Sequence, residues 1–121
     1  KLWRTFRTPG ADVQCQSMLQ LLMNVIEFDM DVQEAVEAPR FATWSFPASH
    51  VPHPYEKNVV TLEGRIEDKC AENLEGLGHE IQILNDWVPR LGSLSAIEID
   101  RSRNTLNGSS DLRRESYAIG R

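Results

Sequence analysis

A chain of 121 residues, 40% of them apolar, is the size of a single domain with one core. Its 13 Lys and Arg against 18 Asp and Glu leave a net charge of −5, an acidic and evenly mixed balance unlike the concentrated basic face of a nucleic-acid binder. No apolar run approaches the roughly 20 residues of a membrane-spanning helix, two cysteines are too few for a disulfide scaffold, and 26% charged residues with three Trp is not a disordered composition.

The chain opens Lys1-Leu2-Trp3-Arg4, with neither an initiator Met nor a signal-peptide pattern, so we expect it to be part of a longer protein. Residues 3–7 alternate apolar and polar and predict a short strand. Thr8-Pro9-Gly10-Ala11 breaks it, with Asp12 as the expected N-cap of a helix from Val13 to Phe28. Apolar residues run almost all the way round that helix, which implies cover on more than one side. Asp31 and Glu34 have the spacing of a capping box for a second helix, Val32 to Ala38, which Pro39 stops.

Residues 41–57 read as irregular, with Pro47, Pro52 and Pro54 among aromatics. A strand at Val59–Glu63, a helix at Ile66–Leu77 closed by Gly76 or Gly78, and a strand at His79–Leu84 follow. Leu94–Ile99 is a further strand, and the turn at Arg101–Asn104 returns the chain antiparallel through Thr105–Gly108. Tyr117–Gly120 is expected to add an edge strand. The order is a mixed α+β domain without internal repeats.

Most candidate chemistry along the chain has an ordinary reading. His50 and His53 bracket Pro52 with no third ligand placed nearby, so they read as loop histidines. Cys15 and Cys70 are both expected as free thiols on helices, Cys15 within the buried stripe. Asp100 to Gly108 lacks the repeated acidic ligands of a calcium loop. Asp111 with Arg113 and Arg114 reads as a local ion pair, and Glu34 and Glu37 as a solvated helix face. Thr8-Pro9-Gly10-Ala11 is more informative. A glycine between a strand and a helix N-terminus leaves free N–H groups in a field that favours negative charge. Such a turn either holds an anion, including the oxyanion of an acyl-transfer intermediate, or is an ordinary strand–helix connection.

Four segments resemble one family in order and spacing. Thr8-Pro9-Gly10-Ala11-Asp12-Val13-Gln14 with Gln16-Ser17-Met18-Leu19-Gln20 resembles the T-P-G-G-D-x-Q-x-Q-x-x-L-Q segment of the γ-glutamyltranspeptidases. Asp31 to Phe41 is similar to their M-D-x-Q-E-A-x-x-A-P-R-F stretch, Leu77-Gly78-His79-Glu80-Ile81 to their L-x-x-x-G-H-x-V turn, and Gly108 to Arg114 to their G-x-S-D-P-R-R.

The resemblance implies an N-terminal nucleophile hydrolase fold, a four-layer αββα sandwich of which this chain is a part. It implies a precursor that cleaves itself into two subunits. The new N-terminal Thr of the small subunit attacks a γ-glutamyl amide such as glutathione, and the acyl group passes to water or an amino-acid acceptor, without a cofactor or metal. Residues 1–121 would be the C-terminal portion of that small subunit, with the nucleophile outside them. The partners would be the rest of the small subunit, the large subunit and the γ-glutamyl substrate, with no nucleic acid and no membrane span. Gly10 and Ala11 map to the Gly-Gly pair whose backbone N–H groups form the oxyanion hole, and Thr8 and Pro9 are the substrate-binding candidates beside it. An Ala11→Pro change would delete one donor. Ala11 stands where the family has the second Gly. Arg7 stands where it has Gly and is expected to crowd the turn, Leu112 stands for Pro, and Glu115-Ser116 for Asp-Gly. An acylase of another amide, such as a β-lactam side chain, and a catalytically inactive structural homologue are the alternatives.

Overall fold

A computed structural model describes residues 3–120. The elements in chain order are β1 (Arg4–Arg7), a 3-10 turn (Ala11–Val13), α1 (Gln14–Ile26), α2 (Val32–Glu37), β2 (Phe41–Thr43), β3 (Val59–Glu63), α3 (Asp68–Gly76), β4 (Glu80–Leu84), a second 3-10 turn (Pro89–Leu91), β5 (Ser95–Asp100) and β6 (Thr105–Ser110). They form two three-stranded sheets, ordered β1-β5-β6 and β2-β3-β4. The first is antiparallel throughout, with Arg7 opposite Ser95 and Ile97 opposite Gly108. In the second, β3 pairs antiparallel with β2 and, through the α3 crossover, parallel with β4.

Each core follows from the apolar pattern. Leu21 and Val25 of α1, Val32, Ala35 and Val36 of α2, and Leu94 and Ala96 at β5 close one cluster, with Phe6 packed against it. Val13, Ala42 and Leu91 make a second, smaller cluster between α1 and the β2-β3-β4 sheet. Every residue of β3 is buried, as expected of a central strand paired on both sides. The Asp31–Glu34 capping box forms as expected: the Asp31 carboxylate accepts from the Gln33 and Glu34 amides, and Glu34 accepts from the Asp31 amide.

Three glutamines tie helices to strands in the same way. Gln16 donates to the Thr43 carbonyl at 3.1 Å and accepts from the Thr43 amide at 2.9 Å. Gln20 does the same with Phe41, at 2.9 and 3.1 Å, and Gln33 with Ser110, at 3.1 and 3.2 Å. A primary amide carries the donor and acceptor that a neighbouring strand would offer, so these side chains satisfy strand backbone that would otherwise stay open.

Several expectations need correction. The α1 helix buries only Ser17, Leu21 and Val25, leaving Leu19, Met23 and Ile26 more than 40% exposed, because the sheets described cover one side of it. Cys15 lies on the uncovered side and is exposed, as is Cys70, and both are free thiols. Asp12 does not cap α1. The 3-10 turn intervenes, and the Asp12 carboxylate instead accepts from the Ser49 amide at 3.0 Å. Residues 41–43 form β2 within the stretch read as irregular, and 117–120 do not form a strand. Among the described residues no helix is long and apolar enough to cross a membrane.

Candidate active-site turn

The Thr8–Ala11 turn joins β1 to the first turn of the α1 region with two consecutive residues at positive φ, Gly10 at 136° and Ala11 at 47°. A Cβ on Gly10 would come within 2.6 Å of Val13 Cγ1, so both conformation and space call for glycine there. Ala11 has no such freedom. A left-handed alanine costs about 1–2 kcal/mol, and its surroundings must hold it in place. The carbonyls of the pair are committed to the helix side: Gly10 accepts from the Val13 amide and Ala11 from the Gln14 amide. Among the described residues, no acceptor engages the amides of Gly10 or Ala11. The turn therefore presents two successive free donors at a helix N-terminus.

What holds the turn is the segment after Pro89–Leu91. The Ser93 amide donates to the Thr8 hydroxyl at 2.8 Å, and that hydroxyl donates to the Pro9 carbonyl at 2.8 Å. Thr8 is buried and its hydroxyl is engaged within the fold in both directions, while Pro9 is exposed. Gly92 sits beneath with φ 89°, and a Cβ there would approach Thr8 Oγ1 to 2.6 Å and Ser17 Oγ to 3.2 Å. Ser17 of α1 donates to the Leu91 carbonyl at 2.8 Å. Arg7, expected to crowd the turn, is exposed and points away from the helices: in β1 the residues alternate, and Phe6 is the one that packs on the helical core.

Behind the 91–94 segment lies a buried ionic cluster that sequence reasoning reached only in part. Asp111 pairs with Arg113 as expected, at 3.1 Å, but Arg114 is exposed and donates instead to the Pro89 carbonyl. The missing members are Arg40, whose guanidinium lies 2.6 Å from Asp111, and Glu63, which Arg113 grips through two nitrogens at 2.5 and 2.6 Å. Arg40 follows the helix-stopping Pro39, and Glu63 ends an otherwise uncharged buried strand. An acidic residue closing an apolar run was the available signal.

Asp111 Oδ2 also accepts from the Leu94 amide at 2.8 Å, and Arg40 donates to the Leu91 carbonyl at 3.3 Å, so the cluster grips both ends of the segment that holds Thr8. Burial, and then the neighbouring Arg113 charge, bring Arg40 down to about 10 against the opposing pull of Asp111. Burial works against the Glu63 carboxylate, but hydrogen bonds from Arg113, the Arg40 amide and the Val88 amide outweigh it and hold the group below its usual range. Burial likewise opposes the Arg113 charge, and Glu63 with Asp111 more than compensates.

The remaining candidates stay in ordinary roles. His50 lies 3.9 Å from Asp12 on an exposed loop, His53 bonds the Ala48 carbonyl, and no group of three or more His, Cys, Asp or Glu gathers as a metal set among the described residues. Asp100 caps the β5–β6 turn through Ser102 and Arg103. Glu37 accepts from Gln33 at 2.6 Å and is half-buried rather than solvated.

Compared with known proteins, residues 1–121 match the family model for γ-glutamyltranspeptidase over their whole length. The chain belongs to the γ-glutamyltranspeptidase family. It is 28% identical over 118 residues to a glutathione hydrolase-like proenzyme of Bacillus subtilis, covering 95% of this chain and 21% of that protein. Its fold matches the solved structure of LmbA2991HD with a TM-score of 0.89 and 31% identity, over 98% of this chain and 21% of that one. It matches the cephalosporin acylase of Bacillus halodurans with a TM-score of 0.74 and 27% identity, over 89% and 18%. The fold is thus a mixed α/β segment of the N-terminal nucleophile hydrolase architecture, and the chain spans about a fifth of the length of these relatives.

Proposed function

We propose that this chain is the C-terminal portion of the small subunit of a γ-glutamyltranspeptidase-like enzyme, in which Gly10 and Ala11 furnish the oxyanion hole. The observation that carries this reading is the pair of consecutive positive-φ residues with unengaged amides at the mouth of α1. In the reaction, an N-terminal Thr outside this chain attacks the carbonyl carbon of an amide. The carbonyl oxygen takes up the electron pair and becomes an oxyanion. Two fixed N–H donors stabilise that charge where it develops, with no reorganisation at the moment of reaction. Collapse expels the amine and leaves an acyl-enzyme, which water or an amine acceptor then opens through a second oxyanion on the same donors. Thr8 and Pro9 position the donors, Thr8 through its bond from Ser93. The remainder of the small subunit, the large subunit and the amide substrate are the partners this reading requires.

The γ-glutamyl group is the acyl group we assign, as the glutathione hydrolase-like relative favours. An acylase of a different amide is the second reading, favoured by the fold match to a cephalosporin acylase. Kinetics of the complete, self-processed protein on γ-glutamyl p-nitroanilide and on glutaryl p-nitroanilide distinguish them. Higher kcat/KM on the first supports the γ-glutamyl assignment, and higher kcat/KM on the second supports the acylase. A precursor that never cleaves itself contradicts both.

A further inference from the structure

Ala11 keeps its left-handed φ of 47° with an exposed side chain, so packing does not hold it there. The bonds that the Gly10 and Ala11 carbonyls accept, from Val13 and Gln14, are local to the start of the helix and move with it. Restraint must come from neighbours tied to distant elements. Thr8 supplies one such tie on the N-terminal side, through Ser93. On the other side, the residue that follows Ala11 supplies a second. The Asp12 carboxylate accepts from the Ser49 amide at 3.0 Å, across 37 positions of sequence. Hydrogen bonds from Ser49 hold the Asp12 carboxyl below its usual range, so the tie is made by an ionised group.

Ser49 is a firm anchor because its loop, between β2 and β3, is braced internally. The Ala48 amide donates to the Pro54 carbonyl at 2.9 Å and the His53 amide to the His50 carbonyl at 2.7 Å, while the His53 ring bonds the Ala48 carbonyl at 2.7 Å. Among the described residues, the bond from Ser49 to Asp12 is the one hydrogen bond that leaves residues 46–55 for another element. His50, 3.9 Å from the same carboxylate, is exposed and adds little to the tie.

We propose that Asp12 is a positioning residue that braces the strained Ala11 against the 46–55 loop, and that this brace lets an alanine donate its N–H from a conformation that favours glycine. The inference rests on the oxyanion-hole reading of Gly10 and Ala11. Released from the brace, a left-handed alanine shifts toward negative φ by about 5- to 30-fold in population, and the two donors no longer point to one place. Glycine populates positive and negative φ about equally, so at the same position it would lose only about twofold. The dependence on Asp12 is therefore specific to alanine.

The test is a double-substitution cycle in the complete self-processed protein, read as kcat and KM on whichever of γ-glutamyl and glutaryl p-nitroanilide is cleaved faster. Asp12→Ala should lower kcat about 5- to 30-fold with little change in KM, the mark of an interaction used in the transition state. Asp12→Asn keeps an acceptor oxygen and should lose less, and His50→Ala should leave kcat unchanged. Added to Ala11→Gly, Asp12→Ala should lower kcat only about twofold. An equal loss with alanine and with glycine at position 11 overturns the brace. A crystal structure of the Asp12→Ala protein separates this from the parent reading, whether or not either anilide is cleaved. Ala11 at negative φ with kcat unmoved supports the brace and removes the oxyanion-hole reading, whereas Ala11 still near 47° overturns the brace.

Discussion

The Ser93 amide donates to the Thr8 hydroxyl at 2.8 Å, across 85 positions of sequence, and by that bond a segment following the Pro89–Leu91 turn is fastened to the loop that carries Gly10 and Ala11. Replacing Thr8 by Val keeps the shape, removes the acceptor and leaves a buried N–H unsatisfied, a loss of about 1–3 kcal/mol. We expect Thr8→Val to lower Tm and reduce kcat with little change in KM, and Thr8→Ser to restore both. A rise in KM alone would instead make Thr8 a substrate contact.

The buried cluster behind that segment should be intolerant of single changes. Asp111→Asn uncouples Arg40 and Arg113 from a carboxylate in a fully buried site, and breaking one partner of a buried pair typically costs about 3–5 kcal/mol. Thermal unfolding of the complete protein should show a large drop in Tm for Asp111→Asn and little change for Arg114→Gln, whose side chain is exposed and only touches the Pro89 carbonyl.

Glu63 carries the pH dependence of this cluster. Its carboxyl lies below its ordinary value of 4.5 in the folded protein. The stability it contributes is therefore fully present above about pH 4.5 and is lost as pH falls through the lower folded value. A series of melting curves from pH 7 to pH 3 should steepen below pH 4.5. Glu63→Gln should melt lower at pH 7 and show a shallower acid slope.

Ala11 is held at φ 47°, where alanine is strained and glycine is not. Ala11→Gly should raise Tm, because relief of a left-handed alanine exceeds the unfolded-state entropy that glycine adds, and turnover should hold or increase. Ala11→Pro is a poor test of the donor: proline is locked near −65° and cannot adopt the turn at all, so it would destroy the loop together with the N–H.

Regular elements were legible where period and caps agreed. Val59–Glu63 lies where its short β-branched run places a strand, and the Asp31–Glu34 capping box and the β5–β6 hairpin lie where capping chemistry and alternation place them. β2 was hidden because it is three residues long and its backbone is satisfied partly by Gln16 and Gln20 side chains, which leave no alternating pattern. The tail at Tyr117–Gly120 was expected as an edge strand and does not form one, and Gln33 occupies the β6 backbone at Ser110. At the site, Gly10 and Ala11 stood out through their resemblance to a Gly-Gly pair, while the cluster that stabilises them joins residues 50 and 71 positions apart, Arg113 to Glu63 and Arg40 to Asp111. No local spacing records such a pairing. The exposed Leu19, Met23 and Ile26 of α1 explain why the helix looks buried on all sides in sequence: its apolar stripe is wider than the two sheets here cover.

The most direct measurement removes the Ala11 N–H and keeps the side chain, weakening besides only the Gly10 carbonyl that accepts from Val13. Semisynthesis of the small subunit with L-lactic acid in place of Ala11 converts one peptide bond to an ester, keeping the methyl group and deleting the donor. In the reassembled, self-processed protein we predict a fall in kcat of about 100- to 1,000-fold, as for loss of one oxyanion donor elsewhere, with Tm within a few degrees of the all-amide protein. Near-normal kcat in the ester protein would contradict the oxyanion-hole assignment and leave Gly10 and Ala11 as a structural turn.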